Sequence, residues 1–216
     1  MNNARSQILD RVRAAVKHKA PQPEMHGEPK PWFPSIASDP ETLIARFKLE
    51  HETLKGEFIR ASNVGAARKE LHGFCERNSI KTIAASADSL LRDVLEGQEV
   101  RWIDANSKAG ASLDGFDLGV TRADVLAART GSIFLTSRSG SGRALSVLPP
   151  IHLVVATKEE LVVDLAEGMQ VWQRKYGNNW PSNCFIISGP SRTADIEKVL
   201  VLGAHGPKRL VTLLLG

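Results

Sequence analysis

An open, mostly parallel α/β sheet flanked by helices is the fold class this sequence predicts, and three observations predict it. From Asp39 onward, short apolar runs alternate with stretches of helical period, the pattern of strand–helix units built around a parallel sheet. At 216 residues, with 42% hydrophobic and 24% charged side chains, the chain is long enough for one well-buried domain and is composed like an ordinary globular protein. No apolar run approaches the ~20 residues that cross a bilayer, and the opening MNNARSQILD lacks the apolar core of a secretory signal. The expectation is a cytoplasmic protein with no membrane partner.

Residues 1–38 read as an arm and a linker. In ARSQILDRVRAAVKHK, Ile8, Val12 and Val16 recur every four residues on one helical face, while Arg5, Arg11, Arg13, Lys17 and Lys19 occupy much of the rest. Such a helix is expected to lie on its own domain or on a second copy, which keeps a homodimer open. Its narrow stripe of small apolar residues suits a membrane surface poorly. Residues 20–38 carry five prolines, which remove backbone donors and block helix and central strand alike. This is an extended linker, with Trp32 and Phe33 as its expected anchors.

The α/β domain is expected over 39–216. Its first helix has Asp39 as cap, Pro40 in the first turn and Leu43, Phe47 and Leu54 on one face. Strand EFIRA, a helix over 63–78, strand KTIAAS, a helix over 87–96 and strand VRWID follow. The runs DLGVTRA, GSIFLTS and IHLVVAT then come without a convincing helix between them, which leaves room for an antiparallel part of the sheet. A helix over 161–175, strand CFIIS, a short helix over 194–202 and strand RLVTLLL complete the order.

Composition narrows the chemistry. The two cysteines, Cys75 and Cys184, match no metal-ligand or redox spacing and read as small buried hydrophobes. An iron–sulfur cluster, which takes several cysteine ligands, has no ligand set here, and no metal site is expected. Net charge is +4, from 28 basic and 24 acidic residues on a mixed surface without a basic block, which argues against a nucleic-acid partner.

Open α/β sheets bind ligands beyond the carboxyl ends of their strands, so polar residues that follow strand-like runs are the candidates. Thr121 and Asp124 follow DLGV, and Thr130-Gly131 leads into the next strand. Asp124 could bind a hydroxyl or a cation or act as a base, or it is a cap or turn carboxylate. In TSRSGSGRALSVLPP, the glycines let backbone N–H groups converge on an anion, with Arg143 as the charge to pick. His152, just beyond the Pro-Pro step, reads as a structural hydrogen-bonding histidine. After CFIIS, the turn Gly189-Pro190 leads through Ser191, Arg192 and Thr193 into the expected short helix, Thr193 being its cap and Asp195 lying in its first turn.

The stretches GVTRADVLAARTGSIFL, GRALSVLPPIHLVV and SGPSRTADIEKVLVLGAHGPKRLVTLLL together resemble the LUD-domain family, and within it the lactate utilization C group. The resemblance is closest from Gly119 to the C-terminus and looser over 40–118. It implies a fold like that of the NagB/RpiA-like sugar-phosphate isomerase and CoA-transferase superfamily. It also implies a role in bacterial lactate utilization, the oxidation of L-lactate to pyruvate, with iron–sulfur partner proteins that carry the clusters. One departure stands out: where the family commonly has an acidic residue before the Thr-Gly step, this chain has Arg129.

The expected crevice is lined by Thr121, Asp124, Thr130, Gly131, Arg143, Ser188, Ser191, Arg192, Thr193 and Asp195. Arg143 and Arg192 are assigned to a small carboxylate or phosphate ligand, and Asp124 and Asp195 to a hydroxyl as the candidate catalytic groups. Two other readings stay open at this point. One is a stand-alone isomerase- or CoA-transferase-like enzyme acting on a small phosphorylated or carboxylated substrate. The other is a non-catalytic assembly or regulatory subunit that docks through the basic helix.

Overall fold

Side-chain caps and alternating apolar registers lay out the elements in chain order. The computed structural model describes residues 3–17, 33–104, 113, 115–193, 201–202 and 206–216. The chain separates into two units, residues 1–35 and 36–216. In the first, α1 (Asn3–Val16) leaves Ile8, Val12 and Val16 exposed at 62%, 53% and 76%. Phe33 is 65% exposed, and Trp32 lies outside the described residues.

In the second unit, α2 (Pro40–Thr53) begins where the Asp-Pro step predicts: Asp39 Oδ1 accepts the Thr42 N–H at 2.9 Å, and the helix buries Leu43, Ile44, Phe47 and His51. Then come β1 (Glu57–Ala61), α3 (Val64–Arg77), β2 (Ile83–Ser86), α4 (Ser89–Val94) and β3 (Val100–Ile103). Asn63 and Asp88 cap the two helices through the N–H groups of Ala66 and Leu91. The chain continues through β4 (Leu118–Arg122), β5 (Val125–Ala127), a 3-10 turn at Ala128–Thr130, β6 (Ser132–Thr136) and β7 (Ile151–Thr157). It ends with β8 (Leu161–Val162), α5 (Leu165–Tyr176), β9 (Cys184–Ile187), β10 (Arg192–Thr193), β11 (Val201–Leu202) and β12 (Arg209–Leu215).

Six strands form an open sheet in the order β1-β12-β7-β4-β2-β3, and every neighbouring pair in it is parallel. The antiparallel pairing that the 117–157 region admits belongs instead to a second sheet, β8-β5-β6-β9. Two further expectations are corrected. The helix over 161–175 starts later, because Leu161–Val162 pairs with β5 and Asp164 caps at Glu167. The helix over 194–202 does not reach its expected end: Val201–Leu202 pairs antiparallel with Arg192–Thr193. Thr193 is therefore a strand residue and not a helix cap, and residues 194–200 lie outside the described residues.

The layers follow from side-chain alternation along the strands. On one face of the main sheet, Ile83, Ala85, Val120, Leu153, Val155, Val211 and Leu213 pack under Leu71 and Phe74 of α3 and Leu91 and Val94 of α4. On the other, Val154, Ala156, Leu210 and Leu214 meet Leu43, Ile44 and Phe47 of α2 and Leu126, Ile133 and Leu135 of the second sheet. The far side of that second sheet carries α5, with Trp172 edge-on to Phe134 at 4.7 Å between ring centroids. Arg209 of β12 closes a bidentate pair with Glu57 of β1, at 2.6 and 2.8 Å.

Candidate functional site

Three segments far apart in sequence converge where β7 and β12 begin. Arg143, Ser146 and Val147 precede β7, Phe185, Ile186 and Ile187 end β9 with Gly189, Pro190 and Ser191 beyond it, and Gly206, Pro207 and Leu210 lead into β12. With His152 they line a cavity of about 230 Å³. Because the main sheet is wholly parallel, its carboxyl ends share one edge, and this cavity lies at the opposite, amino edge of the central strands. The expected location beyond the carboxyl ends is thereby corrected for the Arg143 and Ser191 group. The second sheet, which brings β9 over the main sheet, creates the cleft there.

Local geometry explains how each wall is held. The loop after β6 is closed by Gly140 N–H to Thr136 O at 2.9 Å and Gly142 N–H to Ser137 O at 2.8 Å. A 3-10 turn at Ala144–Ser146 follows, and Ser146 Oγ donates to Arg143 O at 3.0 Å. This turn lies directly on β4: a Cβ on Gly119 would stand 2.2 Å from Leu145 O, so only glycine fits. Arg143 itself is exposed and stacks its guanidinium over Phe185, 6.0 Å from the ring centroid, at the cavity wall. Ser191 N–H donates to Pro207 O at 3.1 Å, which ties the Gly189-Pro190 turn to the Gly206-Pro207 turn.

His152 is wholly buried, with Nε2 2.8 Å from Thr121 Oγ1 on the neighbouring strand. Its Nδ1 has no hydrogen-bond partner among the described residues. Burial pushes its pKa down to about 3, so the ring is neutral at pH 7.

Asp124 sits elsewhere, under α5. Its Oδ1 is 2.5 Å from Lys175 Nζ, and Oδ2 accepts from Ser139 Oγ (3.1 Å), Tyr176 OH (3.0 Å) and Trp172 Nε1 (3.3 Å). Burial works against the Lys175 ammonium, yet the hydrogen bond and charge of Asp124 outweigh it and raise the lysine's pKa. Burial also raises the Tyr176 phenol. Ser139 Oγ in turn accepts the Thr136 N–H at 3.0 Å, so Asp124 anchors the loop that ends at Arg143.

A third group joins Thr130, Ser132 and Ser188. Ser132 Oγ donates to Thr130 Oγ1 at 2.8 Å and lies 2.7 Å from Ser188 Oγ. Beside it, His51 Nδ1–H donates to Gly131 O at 3.1 Å, and its Nε2 lies 3.2 Å from Thr212 Oγ1. Gly131 is left-handed at φ 59°, and a Cβ there would stand 2.4 Å from His51 N.

The ten residues expected in one crevice thus fall into separate places. Arg143 and Ser191 line the cavity, and Thr121 reaches it through His152. Thr130 and Ser188 belong to the hydroxyl group that leads into the Gly189-Pro190 turn, and Gly131 is a packing contact with α2. Asp124 is the anchor under α5. Arg192 and Thr193 form β10, and Asp195 lies outside the described residues. His152, Ser146 and the Gly206-Pro207 turn also line the cavity, although the sequence did not single them out for it. A histidine one residue into a strand, after Pro-Pro, was the available signal for the first. Arg129 sits on the 3-10 turn with its backbone N–H bonded to Val163 O at 2.9 Å.

The cysteines do not form a ligand set. Cys75 packs under the main sheet with α3, where burial raises its pKa to about 11, while Cys184 packs in the cluster under α5. Among the described residues no group of three or more His, Cys, Asp or Glu side chains is placed to hold a metal ion, and no helix is long and apolar enough to cross a membrane.

Comparison with known proteins places these motifs. A lactate utilization protein C from Halalkalibacterium halodurans is 40% identical over 95 residues, 43% of this chain and 41% of that protein. The uncharacterized protein YkgG of Escherichia coli is 30% identical over 151 residues, 65% of each chain. The chain thus spans about two fifths of the length of the first and about two thirds of the second. The crystal structure of a DUF162 family protein from Deinococcus radiodurans has the same fold, with a TM-score of 0.64 at 20% identity, over 83% of this chain and 100% of that one. The LUD domain profile matches residues 44–215, both sheets and the cavity included, and on that match the chain belongs to the LUD-domain family.

Proposed function

We propose that this chain is the small-anion-binding component of a lactate utilization system, working in the oxidation of L-lactate to pyruvate alongside iron–sulfur partner proteins that hold the clusters. The observation that carries the reading is the convergence of three chain segments, before β7, after β9 and before β12, on one cavity with an arginine at its wall. Its volume, about 230 Å³, falls below the ~300–1,000 Å³ of sites for larger ligands and suits a carboxylate or phosphate of few heavy atoms. Arg143 supplies the charge-assisted bond, and the backbone turns at Gly189 and Gly206 allow close approach. The lactate utilization name of the Halalkalibacterium halodurans relative supports the pathway. Cys75 and Cys184, set in different core clusters, support placing the clusters on partners.

The test is deletion of the gene in its host, with growth compared on L-lactate and on glucose. The expected result is failure on L-lactate alone, rescued by the wild-type gene and at least tenfold less well by Arg143→Ala, on the order of one lost charge-assisted bond. Normal growth on L-lactate in a host without a second copy would overturn the reading. The exposed apolar stripe of α1 favours one further reading, a docking subunit: removal of residues 1–20 would then abolish partner co-purification while leaving anion binding intact.

A further inference from the structure

We infer that His152 is a fixed hydrogen-bond donor of this cavity, that its Nδ1–H meets an acceptor oxygen of the bound anion, and that Thr121 sets the tautomer that puts the proton there. The inference rests on the anion-binding reading above and adds a recognition residue and its protonation form to it.

The argument begins with proton counting. Nε2 of His152 and Oγ1 of Thr121 are 2.8 Å apart, so one of them donates to the other. If the imidazole donated from Nε2, the threonine proton would be buried without an acceptor and Nδ1 would be left as an unmet lone pair. Thr121 is fully buried and has no second side-chain hydrogen bond among the described residues. If the threonine donates instead, both groups of that contact are satisfied, and a single unmet group remains, the Nδ1–H. Buried unsatisfied polar groups are costly, so the second arrangement is favoured. The ring is neutral at pH 7, as the effect of burial on its pKa requires, so it has one proton to place.

The surroundings then say what the remaining donor is for. His152 lines the cavity, yet none of its surface is open to bulk solvent. Its neighbour in register, Gly119, has no side chain to cover it. Arg143 supplies a second donor at the same cavity, and Ser191 a hydroxyl. A donor pair of this kind takes a small anion that carries acceptor oxygens at two places, as a 2-oxo acid does with its carboxylate and its keto oxygen. At the buried His152 such a bond is stronger than at an exposed surface.

The experiment has two arms on the full chain. In the first, two-bond nitrogen–proton correlation spectra of histidine-labelled protein are recorded at pH 7, with the His152 signals assigned by their loss in His152→Asn. The expected spectrum is a neutral ring protonated at Nδ1, with Thr121→Val mixing the tautomers; a ring protonated at Nε2 overturns the inference whatever binds. In the second, pyruvate, L-lactate and inorganic phosphate are titrated calorimetrically, and the tightest binder is carried to the variants. His152→Phe should weaken it about tenfold, and His152→Asn, which keeps a donor near the Nδ1 position, should restore most of that loss. Thr121→Val should fall between. Tight binding by His152→Phe with loss in Arg143→Ala overturns the role of His152 and leaves the anion reading standing. No binding of any of the three by wild type overturns both. If His152→Phe does not fold, the wild-type spectrum and Thr121→Val still decide.

Discussion

Gly131 shows how much can hang on a missing side chain. It is left-handed, and its Cα lies against the backbone of α2, where an alanine Cβ would stand 2.4 Å from His51 N and 2.7 Å from Glu50 C. Gly131→Ala is expected to cost about 3 kcal/mol or more, since backbone strain and a backbone clash add; a urea unfolding midpoint close to wild type would refute this. His152 makes a second residue-scale prediction. Its folded pKa of about 3 lies below the ordinary 6.5, so between those values the unfolded chain takes a proton that the folded chain refuses. Stability is therefore fully present above pH 6.5 and falls with pH below it, by about 1.4 kcal/mol per unit from this ring. His51, also lowered by burial, acts in the same direction. Between pH 7 and 5, His152→Asn should lose about 2 kcal/mol less than wild type, and equal losses would show that His152 titrates normally. Arg143 and Ser191, each near a glycine turn, were legible as neighbours in one crevice, and both line the cavity. His152 was not, because its burial and its contact with Thr121, 31 residues away, depend on β7 lying beside β4.

At the scale of elements, the loop from Ser137 to Arg143 is held from below as much as by its own turns. Asp124 grips Ser139, Arg138 Nη2 reaches Asn179 Oδ1 at 2.8 Å, and Ser137 meets Ser182 at 3.0 Å between hydroxyl oxygens. Asp124→Ala would leave the buried Trp172 N–H short of an acceptor and Lys175 without its carboxylate, and should cost about 3 kcal/mol. It should also speed hydrogen exchange at the Gly140 and Gly142 amides more than at those of β7. Unchanged exchange there would mean that the two outer contacts hold the loop without Asp124. The helices were readable where cap and period agreed, as at Asp39, and the structure adds Asn63 and Asp88 as caps of α3 and α4. β5 and β8, at three and two residues, are too short to show a period, and Arg192–Thr193, which read as a helix entry, pair with Val201–Leu202. Propensity lost to pairing in each case.

For the molecule as a whole, the open α/β class was legible and the layering was not. Strands β7 and β12 are buried on both faces, so they read as continuous apolar runs that do not say what covers them. The second sheet, and with it the site at the amino edge, follows from partners chosen across long stretches of chain. The same strand order bears on how the chain is made. Strand β12 lies between β1 and β7, and Arg209 meets Glu57 across 152 residues. At roughly 5–20 residues per second of synthesis, β1 spends on the order of ten to thirty seconds outside the ribosome with no neighbour on that side. Nascent chains halted before residue 209 should therefore stay protease-sensitive in β1 and expose an apolar strand edge, whereas chains carried through residue 216 and clear of the ribosome become resistant in a single step. The last strand is the keystone of this sheet, and until it is laid the polypeptide is a client for whatever guards newborn proteins against sticking to one another.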